Sequence, residues 1–103
     1  MIAAIKPQHF RTLKLATDAF LLDVRPAKEQ YEEGQIPGNI RLEMTASDFE
    51  DQLSKLDRSK RYLVYCRSGN RSRQVCERMD QMGFKEVYSL DGGITQWKEI
   101  YGA

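Results

Sequence analysis

The chain has 103 residues, the size of one ordinary domain, so a second catalytic domain of usual dimensions is excluded. Its 16 Lys and Arg stand against 15 Asp and Glu, and a net charge of +1 provides no whole-surface field for nucleic acid or an anionic membrane. Any preference for anions must therefore be local.

The first six residues, Met1 to Lys6, lack a basic segment followed by an apolar one. No stretch approaches the roughly 18 apolar residues of a membrane-spanning helix. With only two cysteines and no export signal, the expectation is a cytoplasmic protein in a reducing compartment, where a cysteine is more often free or reactive than part of a disulfide framework.

In chain order, Phe10 to Leu15 reads as a helix, and the apolar run Ala19 to Val24, interrupted only by Asp23, as a strand. Lys28 to Glu33 reads as a helix with an exposed charged face and Tyr31 turned inward. Ile40-Arg41-Leu42 makes a short strand. Ser47 to Leu56 reads as a helix opened by a capping box, Ser47 with Glu50 three residues later. The strand Tyr62 to Cys66 leads into a turn, and Ser72 to Met82 then forms a helix with Val75, Met79 and Met82 on one face. A last strand, Val87 to Leu90, precedes the Gly92-Gly93 turn and a C-terminal helix anchored by Trp97. Continuous apolar runs, as opposed to alternating ones, indicate strands covered on both faces, and their succession with helices indicates an α/β layer fold of one domain, residues 1–103.

In such folds ligands bind beyond the carboxyl ends of the strands, and two strands end there in reactive groups: Asp23-Val24-Arg25 and Cys66-Arg67. Cys66 faces a turn and a helix N-terminus, where backbone N–H groups, the helix dipole and the guanidiniums of Arg67 and Arg71 all favour the thiolate. Gly69 and Asn70 tolerate positive φ, so the loop can curl its N–H groups inward as a small anion nest. Ser72 is placed to cap the following helix. Cys76 reads as a small buried hydrophobe, His9 as solvated or capping, and Met44, Met79 and Met82 as core filling. One His and two separated Cys make no metal-ligand set, and no cofactor is called for.

Four segments together make the chain resemble the single-domain rhodaneses, a family of sulfurtransferases. They are Leu21-Leu22-Asp23-Val24-Arg25 with Glu29 and Tyr31, Gly34-Gln35-Ile36-Pro37-Gly38-Asn39, the loop Cys66 to Ser72, and Gly92-Gly93-Ile94 with Trp97. They occur in the family's order across nearly the whole chain. Gln35 stands where the family usually has His, and Asn39 where it usually has Ala. The resemblance implies a three-layer fold, a central, mostly parallel sheet of about five strands with helices on both faces.

It also implies a two-step reaction: the Cys66 thiolate takes the outer sulfur of thiosulfate or a persulfide, and the resulting persulfide passes it to cyanide, a thiol or another protein. On this reading Arg67 and Arg71 hold the donor's anionic end and Ser68, Gly69 and Asn70 supply N–H groups, with Ser72 completing the substrate-binding loop. Asp23 and Arg25 orient the loop. The expected partners are small sulfur-containing anions and a thiol or protein acceptor, with no nucleic acid or membrane.

Cysteine-dependent phosphatases also place a thiolate in an anion-binding loop, but their signature has five residues between Cys and Arg. Here four residues separate Cys66 from Arg71, and Ser72 occupies the position of the phosphate clamp. The narrower cup suits one sulfur better than a phosphoryl group. A persulfide carrier or binding module with little turnover would use the same cysteine, although binding domains of this family generally lack it.

Overall fold

In a computed structural model of the chain, residues 2–16 and 18–102 are described, and Met1, Thr17 and Ala103 of the 1–103 unit lie outside them. The elements run β1 (Ile2–Ile5), α1 (Pro7–Ala16), β2 (Phe20–Asp23), α2 (Ala27–Glu33), β3 (Ile40–Arg41), α3 (Phe49–Ser54), β4 (Arg61–Tyr65), α4 (Asn70–Gln81), β5 (Glu86–Leu90) and α5 (Gly93–Tyr101). The five strands form one sheet in the order β1-β5-β4-β2-β3, and every pairing is parallel. The three-layer α/β arrangement expected from the resemblance is therefore present. β1 was not expected, because Ile2-Ala3-Ala4-Ile5 is short and half alanine, a residue depleted in strands. Pairing with β5 along its whole length makes it a strand.

The central strand β4 shows why both faces are apolar. Tyr62 and Val64, with Cys66 just beyond, point into a core completed by Phe49 and Leu53 of α3 and by Val75, Cys76 and Met79 of α4. Leu63 and Tyr65 point the opposite way, into a core with Phe10 of α1 and Ile94 and Trp97 of α5. Each fully buried side chain of this size contributes roughly 1.5–3 kcal/mol, so Val75 and Met79 hold α4 firmly on the sheet. Trp97 meets Phe10 edge-on at 6.1 Å, the anchoring role expected of it.

Three local expectations are corrected. The capping box does not form: α3 begins at Phe49 after Asp48, which makes no side-chain cap, and Glu50 is drawn instead to Arg78 at 2.6 Å. Tyr31 is 91% exposed, because Gln30 takes the inward position and donates to Asp23 and Asn39. α4 starts at Asn70, with Gly69 before it, so Ser72 lies inside the first turn and does not precede it.

Candidate active site

Cys66 follows β4 directly, at the carboxyl edge of the sheet's middle strand. Its Sγ accepts the Gly69 N–H at 3.1 Å and the Ser72 N–H at 3.4 Å, and the Ser72 Oγ lies 3.6 Å away. The curl depends on Gly69, whose φ is +105°; positive φ is confined to glycines among the described residues, so Asn70 does not share the left-handed conformation expected of both. Burial pushes the Cys66 thiol up, but the amide and hydroxyl of Ser72 and the amides of Gly69 and Ser68 outweigh it, and its pKa falls below the ordinary value. Desolvation dominates at Cys76, one turn further along α4, and with the neighbouring Cys66 charge pushes that thiol up to about 12. The fold thus sets the two thiols apart, lowering the pKa of Cys66 and raising that of Cys76.

Two supports of the loop were not anticipated. Ser89 of β5 is buried, and its Oγ lies 2.7 Å from the Ser72 Oγ. With Sγ ionised, Ser89 can donate to Ser72 while Ser72 donates to the sulfur. The second support is the N-terminus of α5, where the Ile94 N–H donates to the Cys66 carbonyl at 2.9 Å and the Thr95 N–H to the Arg67 carbonyl at 3.1 Å. Free N–H groups of a helix end thereby fix the start of the loop that begins at Cys66. Gly92-Gly93-Ile94 was visible in the sequence as a motif, but its partner, the backbone of Cys66 and Arg67, has no residue-type signature.

Both loop arginines are engaged by acids of α2. Arg71 makes a two-pronged pair with Glu29, Nη1 to Oε2 at 2.6 Å and Nη2 to Oε1 at 2.8 Å. Arg67 reaches Glu33 through Nε at 3.0 Å, with a side chain that is 63% exposed and lines an outer groove with Thr95 and Lys98. The cup around the sulfur is therefore built of backbone N–H groups and one hydroxyl, with the guanidiniums at its rim.

Asp23 and Arg25 form a fully buried ion pair beneath the rim. The Arg25 Nε and Nη2 donate to the Asp23 carboxylate, Nη2 also donates to the Gly34 carbonyl at 2.8 Å, and the guanidinium lies over the Tyr65 ring. Burial raises the Asp23 pKa, but donation from Arg25 and Gln30 brings it below the usual carboxylate value. Asp23 and Arg25 make no direct bond to the sulfur; they position the end of α2 and the strand residue preceding Cys66. Gln30 extends this network to Asn39, whose Nδ2 donates to Gln35 at 2.7 Å. The two positions at which the chain departs from the family's usual residues are thus bonded to each other.

Residues 7–100 match the family described as Rhodanese-like domain. The chain belongs to the rhodanese-like family. It is 40% identical over 81 residues to the thiosulfate sulfurtransferase GlpE of Coxiella burnetii, covering 79% of this chain and 73% of that one. It is 35% identical over 80 residues to a sulfurtransferase of Allochromatium vinosum, covering 78% and 72%. A rhodanese-related protein from Thermoplasma volcanium has the same fold, with a TM-score of 0.80 at 29% identity over 98% of this rhodanese-like chain and 95% of that one.

Proposed function

We propose that this rhodanese-like protein is a sulfurtransferase that carries a sulfane sulfur on Cys66. The observation that carries the reading is the pair of amides, Gly69 and Ser72, aimed at Sγ beside a hydroxyl, a cup for an anionic sulfur with no general base in it. The Cys66 thiolate attacks the outer sulfur of thiosulfate; the bond to the inner sulfur breaks, sulfite leaves with its electron pair, and Cys66 keeps a persulfide anion. A persulfide donor R–S–SH reacts alike, releasing R–S⁻. In the second half, a thiophilic acceptor such as cyanide, a thiol or a protein thiolate attacks the terminal sulfur and regenerates the Cys66 thiolate. No oxidant enters either step.

The amides on Sγ stabilise the thiolate that attacks the donor and the thiolate regenerated in the second half, and they need no reorganisation between the two. Cys66 is fully buried, so a donor reaches its Sγ only when the groups that cover it move. The names of the relatives support the sulfur chemistry, and the short loop with Arg71 committed to Glu29 disfavours a phosphoryl clamp. One domain, residues 1–103, acting in the cytoplasm, completes the proposal.

Intact-mass spectrometry tests it. Thiosulfate should add the mass of one sulfur atom, cyanide should remove it, and Cys66→Ser should take up none. A wild-type protein left unmodified by thiosulfate and by a singly charged donor alike, or an equal adduct on Cys66→Ser, overturns the reading.

A further inference from the structure

Glu29 and Glu33 lie four residues apart on α2, one helical turn, and each takes one of the two loop arginines. Arg71 gives one N–H of each terminal nitrogen to Glu29, so its charge is compensated by the carboxylate while three of its five N–H groups remain. Arg67 is turned outward to Glu33, away from the cup. The helix that presents the acids is itself fixed: Arg25 binds the Gly34 carbonyl at its end, Gln30 binds Asp23 within it, and Lys98 of α5 donates to the Glu33 carbonyl at 2.8 Å. The acids are therefore a built part of the rim. Arg71 and, after it, the electrostatic pull of the nearby arginines hold the Glu29 carboxyl below its usual range, so it is ionised at neutral pH.

We infer that Glu29 and Glu33 set donor specificity, selecting singly charged sulfane donors over dianions by neutralising the two guanidiniums at the rim. The inference rests on the sulfurtransferase reading and names the donor class for the same site. A dianion such as thiosulfate must displace a carboxylate from an arginine or lie beside it uncompensated. A donor with one negative charge asks less of the rim and leaves both ion pairs in place, while the amides of Gly69 and Ser72 stay on the attacking thiolate. The acids act on charge and not on the reacting bond, so they are specificity-determining and positioning residues.

The test compares two donors that differ by one charge. Thiosulfate transfers sulfur and releases sulfite; methanethiosulfonate transfers the same sulfur and releases methanesulfinate. For wild type, Glu33→Gln, Glu29→Gln and Glu32→Gln, the ratio of kcat/KM for thiosulfate to that for methanethiosulfonate is measured with cyanide as acceptor. Glu32 shares the helix and makes no ion pair among the described residues, so its variant controls for net charge. Removing one charge near the rim should raise the ratio about threefold in Glu33→Gln and more in Glu29→Gln, less so at high salt, and leave it near wild type in Glu32→Gln. The relative rates of Cys66 alkylation by iodoacetate and by iodoacetamide should shift in the same order, a readout that needs no turnover.

Ratios unchanged in both paired variants, or raised equally in Glu32→Gln, overturn the inference while leaving the sulfurtransferase reading standing. If Glu29→Gln fails to fold, the more exposed Glu33→Gln decides. Turnover of neither donor by any form overturns the sulfurtransferase reading, and the donor preference with it.

Discussion

The Ile94 amide donates to the Cys66 carbonyl across 2.9 Å, so the helix after β5 holds the residue that follows β4. This clamp works only because the chain at Gly93 passes very close to the loop. Gly93 has φ of +59°, and a Cβ built on it would come within 2.2 Å of the Arg67 carbonyl oxygen.

Gly93→Ala should therefore be among the most damaging small substitutions in the protein. Left-handed backbone alone costs an alanine on the order of 1 kcal/mol, and a backbone clash cannot be relieved by a side-chain turn. The expected result is a loss of about 2 kcal/mol or more in urea unfolding, the upper part of the range for single substitutions, together with slower persulfide formation. Wild-type stability in Gly93→Ala would show that the loop and α5 separate easily.

Cys66 should alkylate with a pH–rate midpoint below the value of about 8.5 for a free cysteine, because four donors favour its thiolate despite burial. Burial should show elsewhere, as a plateau rate lower than that of a small-molecule thiolate. Cys76, with its thiol pushed up to about 12, should remain unmodified in the folded protein, so that one equivalent of iodoacetamide is incorporated at neutral pH. A midpoint at or above that of a free thiol contradicts the cup.

Ser89→Ala removes the hydroxyl that lies 2.7 Å from the Ser72 Oγ without touching the sulfur. Ser72 then loses one partner and becomes a weaker donor to the thiolate. The Cys66 midpoint should rise by about half a unit, the size of one weakened hydrogen bond, and thiosulfate turnover at pH 7 should fall correspondingly. Ser89→Thr keeps the hydroxyl and should restore the midpoint. An unchanged profile in Ser89→Ala would show that Ser72 acts alone.

Residues whose role depends on their own chemistry and local spacing were legible in the sequence. The place of Cys66 at the strand end, the short loop and the parallel character of the sheet follow from a cysteine closing an apolar run, a count of four residues to Arg71 and apolar runs without alternation. What escaped depends on partners distant in sequence. Glu29 and Glu33 looked like a solvated helix face until the fold brought Arg71 and Arg67 to them. In the sequence Ser89 reads only as part of the strand Val87 to Leu90. Tyr31 and Gln30 exchanged places because the inward position faces the buried Asp23 carboxylate, which an amide can serve and a phenyl ring cannot. Helix ends were misplaced for the same reason: Glu50 could cap α3 locally, but the two-pronged pair with Arg78 holds it elsewhere.

Asp23→Asn tests the buried pair that positions the end of α2. The carboxylate accepts from Arg25 and Gln30 with no exposure to water, so the substitution leaves the Arg25 guanidinium buried without its counter-charge. Breaking one side of such a pair costs about 3–5 kcal/mol, and Asn, which still accepts one hydrogen bond, should fall near the lower end. The pH dependence follows from the direction of the shift. The Asp23 pKa is lower folded than unfolded, so its stabilisation is fully present above the unfolded value near 4 and is lost as pH falls through the folded value. Wild type should thus lose stability steeply below pH ~4 and Asp23→Asn less steeply, the two urea midpoints converging in acid. Parallel pH profiles would mean that acid unfolding is governed by other carboxylates, and that the Asp23–Arg25 pair stabilises the fold only through its shape.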